Sequence, residues 1–242
     1  MQSLGMESNA AAEHIQVIRT LMERAAVYRR ALAPVMIFNG VLGILAGAFG
    51  WLMRLEPPRV FIGYWMVVAL IGASGSFLLI RRQSLKAAEP FWSPPTRRVA
   101  QALLPALVFG FALGLVLIIR AGPHQLRIDL TSSSFVDINL GNPADELVKV
   151  LSLDWLPLAW IGLYGCAIHA AGFFMPRGMK LFGLAFVLGA SSFLVLGLPD
   201  ALAASRLARI HFGHGVMGFF FGLGHLAYGI YLYFTEPRRN EM

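Results

Sequence analysis

Six blocks of the chain, Ala31 to Met53, Phe61 to Ile80, Val99 to Ile119, Trp155 to Met175, Leu181 to Leu198 and Phe212 to Phe234, contain no Asp, Glu, Lys or Arg. About 20 apolar residues in a row are what an α-helix needs to cross the roughly 30 Å hydrocarbon layer of a bilayer. In that medium only a helix or a closed barrel bonds every backbone group internally. The blocks therefore predict an all-α fold, a polytopic transmembrane helix bundle of about six spans. Only 14% of the residues are charged, against about 25% in a soluble domain, so the chain lacks the polar surface of a water-soluble globule.

The 20 Lys and Arg residues sit between the blocks. They form no separate basic domain, so the net charge of +7 predicts topology rather than a nucleic-acid partner. With the N-terminus inside, thirteen of the 20 face the cytoplasm and seven (Arg54, Arg59, Arg120, Arg127, Lys149, Arg206 and Arg209) face the other side. This bias predicts both termini in the cytoplasm.

The domain organisation follows. Residues 1–30 form a cytoplasmic amphipathic segment in which Ile15, Ile18, Met22 and Ala25 recur at helical steps. Residues 31–234 form the membrane domain, with an extracytoplasmic (periplasmic) loop at 120–154, and residues 235–242 form a cytoplasmic tail. In the loop, Pro143, Asp145 and Glu146 suit the first turn of a short helix after Asn142. Pro34, Pro105 and Pro157 are read near helix starts, where a missing N–H costs least. The first apolar block is too long for a signal-peptide core, which predicts that it stays attached. A single cysteine, Cys166, excludes an intrachain disulfide.

The last block is the densest pattern. His211, Gly218 and His225 form one seven-residue series, and Gly215, Gly222 and Gly229 form another. The first block carries Gly40, Gly43, Gly47 and Gly50 at similar steps. Small residues so spaced let helix backbones approach closely, which drives association where lipid removes the hydrophobic drive. Close contact between the first and last spans is expected.

On an ideal helix His211, His214 and His225 fall within about 60° of one another. His169 lies at a depth similar to that of His225. Two neutral imidazoles on facing helices are what a b-type haem requires, so His169 and His225 are the candidate cofactor residues, for haem or a quinone. The fourteen-residue step from His211 to His225 would suit two stacked haems, but the position matching His211 is Trp155, so at most one is supported. His211 and His214, with His124 and Asp200, are the candidate metal ligands. The alternative for every histidine is a hydrogen bond within the bundle.

Gly72-Ala-Ser74-Gly75 resembles the Gly-x-Ser-Gly nucleophile motif of rhomboid intramembrane proteases, but lies in the second span and lacks that family's His-x-x-x-Asn. No carboxylate or ammonium occurs within a span, which disfavours a proton-relay transporter. The run from His14 to Arg24 ahead of six spans, with the closing Gly222-x-Gly224-His225-x-x-Tyr228-Gly229, resembles an uncharacterised family of bacterial six-helix inner-membrane proteins. That resemblance implies the fold class and a bacterial plasma membrane. The expected function is that of a non-enzymatic accessory subunit or membrane-embedded regulator. Its partners would be the lipid bilayer and either other membrane subunits or further copies of the chain. The competing expectations are a redox subunit at His169 and His225 and an intramembrane hydrolase at Ser74.

Overall fold

The computed structural model describes residues 32–55, 58–86, 92, 94–120, 155–175, 177–196 and 206–235. Among these residues every regular element is helical, and six helices are long and apolar enough to cross a membrane. They are α1 (Leu32–Met53), α2 (Pro58–Lys86), α3 (Pro94–Arg120), α4 (Leu156–Ala171, extended by a 3-10 turn at Gly172–Phe174), α5 (Arg177–Val195) and α6. The last has three parts: α-helix Arg206–Met217, a π-helical segment Gly218–Gly224 and α-helix His225–Thr235. The expected N-terminal amphipathic helix, the loop beyond Arg120 and the tail beyond Thr235 lie outside the described residues.

Apolar blocks and helices agree in their centres and differ at their ends. Helix α2 runs past Ile80 through exposed Arg81, Arg82 and Lys86, whose long side chains can carry charge into water while the backbone stays helical. Helix α3 starts at Pro94, so Pro105 is not near a helix start but inside the helix, where it offers no N–H to the Gln101 carbonyl. Pro157 does occupy the first turn of α4.

The first and last spans make the close contact that their glycines predict. A Cβ built on Gly40 would lie 2.5 Å from Leu226 N, and one on Gly43 2.6 Å from Gly222 N. Further along, a Cβ on Gly47 would lie 2.8 Å from Gly218 Cα. From the other side, Gly222 and Gly229 abut Ile44 N and Ile37 N at 2.7 and 2.8 Å. The α1 numbers rise as the α6 numbers fall, so the two helices run antiparallel, backbone against backbone. The blocking atoms are main-chain atoms that cannot swing aside, so side chains larger than hydrogen are excluded at these positions. A second antiparallel seam joins α4 to α5: a Cβ on Gly165 would lie 2.9 Å from Gly183 O, and one on Gly172 2.8 Å from Lys180 N.

Burial sorts the helices into inner and outer. Half of the most apolar window of α4 is buried but only 17% of that of α3, the most apolar span, which shows Leu104, Val108, Phe109 and Ile119 outward. The outward face of a membrane bundle meets lipid tails, so exposed apolar side chains are its expected surface. Inside, one apolar cluster gathers Phe61, Ile62, Trp65, Leu158, Ile161, Phe186 and Phe220. A second gathers Leu32, Met36, Ile168, Met179 and Leu232 at the opposite end.

Candidate functional site

The histidines of α6 lie on one helix but meet different neighbours. His225 is 1% exposed, and both of its ring nitrogens are engaged. Nδ1 lies 3.3 Å from Phe220 O, and because a carbonyl only accepts, Nδ1 must carry the proton. Nε2 is then a lone pair that accepts the hydroxyl proton of Tyr164 on α4, at 2.7 Å. Within α6 the His225 backbone N–H turns to Gly222 O while the imidazole N–H of the same residue reaches the Phe220 carbonyl. Phe182, Phe186 and Tyr164 pack against the ring at centroid distances of 5.1 to 5.4 Å, and Phe221 stacks at 6.0 Å.

His214 is 0% exposed and has the opposite tautomer. The indole of Trp65 on α2 donates Nε1–H to Nδ1 at 3.1 Å, and an indole nitrogen only donates. Nδ1 is therefore the lone pair and Nε2 bears the hydrogen. That Nε2 is buried without a hydrogen-bond partner. His211 stacks flat on Trp51 of α1, with centroids 4.4 Å apart and planes 5° from parallel. The three histidines, expected on one face, thus address α1, α2 and α4. The π-helical turns at Gly218–Gly224 advance less per residue than α-helical turns and rotate His225 away from the direction an unbroken α-helix would give it.

His169 places Nδ1 3.0 Å from Lys180 O on α5 and meets the edge of Phe173, over which the Lys180 ammonium lies at 3.8 Å. No ring contact joins His169 to His225 among the described residues. A haem iron would need the Nε2 lone pair that Tyr164 now fills, in a space packed by four aromatic rings. The arrangement does not fit that group.

A cation at His214 Nε2 would meet a proton rather than a lone pair. No three His, Cys, Asp or Glu side chains come together as a metal site among the described residues. His124 and Asp200 lie outside those residues. Ser74 sits on the exposed side of α2; its neighbour Ser76 is the one engaged, accepting from Asn39 Nδ2 at 2.7 Å.

A lacing of polar contacts between helices emerges instead. Asn39 to Ser76 and Tyr64 Oη to Ala46 O (2.7 Å) tie α1 to α2, and Trp65 to His214 ties α2 to α6. Arg59 Nε to Ile118 O (3.1 Å) ties α2 to α3, and Trp160 Nε1 to Gly110 O (2.8 Å) ties α3 to α4. His169 and Tyr164 complete it, from α4 to α5 and α6. Of this set only the histidines stand out in the sequence; Tyr64, Trp65, Trp160, Tyr164 and Asn39 do not. A polar tip placed within an apolar block was the available signal.

No protein-family model matches this chain, and comparison with curated proteins and with solved structures likewise finds no match.

Proposed function

We propose that this multi-pass membrane protein is a non-enzymatic component of a membrane assembly, an accessory subunit or membrane-embedded regulator, that acts through the surfaces of its helices. The observation that carries this reading is the lacing: buried polar side chains with chemical potential, His225 and Tyr164 above all, are bonded to one another or to backbone carbonyls across helix interfaces. Interhelical bonds of this kind contribute about 0.6 kcal/mol each in membrane proteins, and together with tight glycine seams they make a rigid body suited to presenting a constant surface. The charge bias supports placing both termini in the cytoplasm of a cell whose inner membrane holds the protein.

The test is purification from native membranes in mild detergent, followed by native mass spectrometry and a reduced-minus-oxidised absorption spectrum. A stoichiometric second membrane protein, or a defined homo-oligomer, supports the reading. A monomer carrying a b-type chromophore that is lost in His225→Ala contradicts it.

A further inference from the structure

The donor left over at His214 points to a binding site independent of that functional reading. The imidazole is held in place by the indole of Trp65 on Nδ1, by Phe61 edge-on at 4.9 Å and by Gly50, where a Cβ would overlap Nδ1 and Cε1. Rotating Nε2 toward another partner would break the Trp65 bond. The Leu55 carbonyl approaches the imidazole as a weak acceptor but lies outside hydrogen-bond geometry, so Nε2 is left without a full partner. An N–H in that state is destabilising relative to any state in which an acceptor reaches it.

The segment beside this ring, the last turn of α1, carries a cost of its own. Arg54 has φ of 48°, the left-handed conformation in which helices commonly end on glycine and which a Cβ disfavours. The turn is closed by two long backbone bonds, Leu55 N–H to Gly50 O at 3.3 Å and Arg54 N–H to Trp51 O at 3.4 Å. The unpaired donor and the strained residue are separate observations, and a small outward movement of this one turn relieves both.

We propose that the last turn of α1 covers a latent site for a single acceptor oxygen at His214 Nε2. Because Nε2 bears the proton, the site takes a neutral or anionic oxygen and rejects cations. The site lies where α1 leaves its apolar stretch, beside the exposed Arg54. At that level the oxygen is supplied either by water or by the ester or phosphate of a lipid headgroup.

The experiment uses full-length protein labelled with 15N-histidine in phosphatidylglycerol/phosphatidylcholine nanodiscs. His214 is assigned by its loss in His214→Phe, or by its shift in Trp65→Phe should the first variant not fold. The expected result is an Nε2-protonated ring whose Hε2 shows a cross-peak either to water or to headgroup protons, the two sources being told apart by that partner. His225, Nδ1-protonated and without such a peak, is the internal control. In parallel, Arg54→Gly is expected to slow hydrogen exchange at residues 54 and 55 about two- to fivefold, since relaxing the strain favours the closed turn. An Hε2 with no contact to water or lipid, a direct bond from Hε2 to the Leu55 carbonyl, or unchanged exchange in Arg54→Gly would overturn the proposal.

Discussion

His214 and His225 lie eleven positions apart on α6 and are equally hidden from solvent, yet one is half satisfied and the other fully. At His225 a carbonyl of its own helix and a hydroxyl from α4 meet the two ring nitrogens, so both are bonded. At His214 the neighbours are an indole, which only donates, the rings of Phe61 and Tyr64, and a Leu55 carbonyl that stays outside hydrogen-bond geometry. The difference teaches that burial alone does not tell what a membrane histidine contributes. What decides is whether each nitrogen meets a group of the complementary kind. The half around His225 should hold the bundle together; the half around His214 should be close to neutral and open to change.

The largest effect is expected at the junction between these halves. In Gly222→Leu the new side chain meets Ile44 N and Gly43 C, main-chain atoms within 3.0 Å of a bare Cβ. Overpacking of this kind costs about 1–3 kcal/mol even where side chains can yield, and here the blocking atoms are backbone. Thermal denaturation in detergent should show at least that loss, while Leu223→Ala, on the lipid-facing side, should shift stability by less than about 1 kcal/mol. Val216, which its position off the glycine rows recommends as a neutral control, is unsuitable because it is buried in the core. Equal stability of Gly222→Leu and Leu223→Ala would mean that α6 does not rest on α1.

Next comes His225→Phe, which strands the Tyr164 hydroxyl and removes the imidazole bond to the Phe220 carbonyl while roughly keeping ring volume. A buried hydroxyl without a partner together with one lost hydrogen bond costs about 2–4 kcal/mol, measurable as a lowered denaturation midpoint. A smaller gain is expected from Arg54→Gly, which removes the left-handed strain at the end of α1 and should stabilise the protein by about 1 kcal/mol. The smallest change is expected for His214→Phe. It deletes one unpaired donor, Nε2–H, and creates another at Trp65 Nε1, so the net should fall within about 1 kcal/mol of zero. If His214→Phe proves as damaging as His225→Phe, the contrast between the two halves is false.

Much of this arrangement was legible in the sequence. The six spans follow from uncharged apolar runs, and the α1 to α6 seam from glycines at three and four residue steps, because both signals come from chain geometry alone. The ends of α2 and α3 were not legible, since snorkelling basic residues and an internal proline hide where a helix stops or starts. Nor was the α4 to α5 seam: Gly165 and Gly172 stand seven residues apart on α4, but Gly178, Gly183 and Gly189 on α5 fall at five- and six-residue steps that match no helical row. The partners of the histidines were hidden for another reason: Tyr164 and Trp65 are apolar by most of their surface, and only the folded contact shows which polar tip meets which nitrogen. The π segment leaves no local mark in Gly218–Gly224, and without it the facing directions of His214 and His225 cannot be derived.

The claim at the centre of this account is that the buried polar groups of the bundle bond helix to helix, and the Tyr164 to His225 pair is its strongest instance. A double-mutant cycle on denaturant stability, with Tyr164→Phe, His225→Phe and both together, measures that bond directly. The account predicts a coupling of about 1 kcal/mol or more, the double variant losing less than the sum of the single ones, because each single change leaves the other group buried and unpaired. Strictly additive losses would contradict it, and would mean that the hydroxyl and the imidazole are neighbours that do not hold α4 to α6.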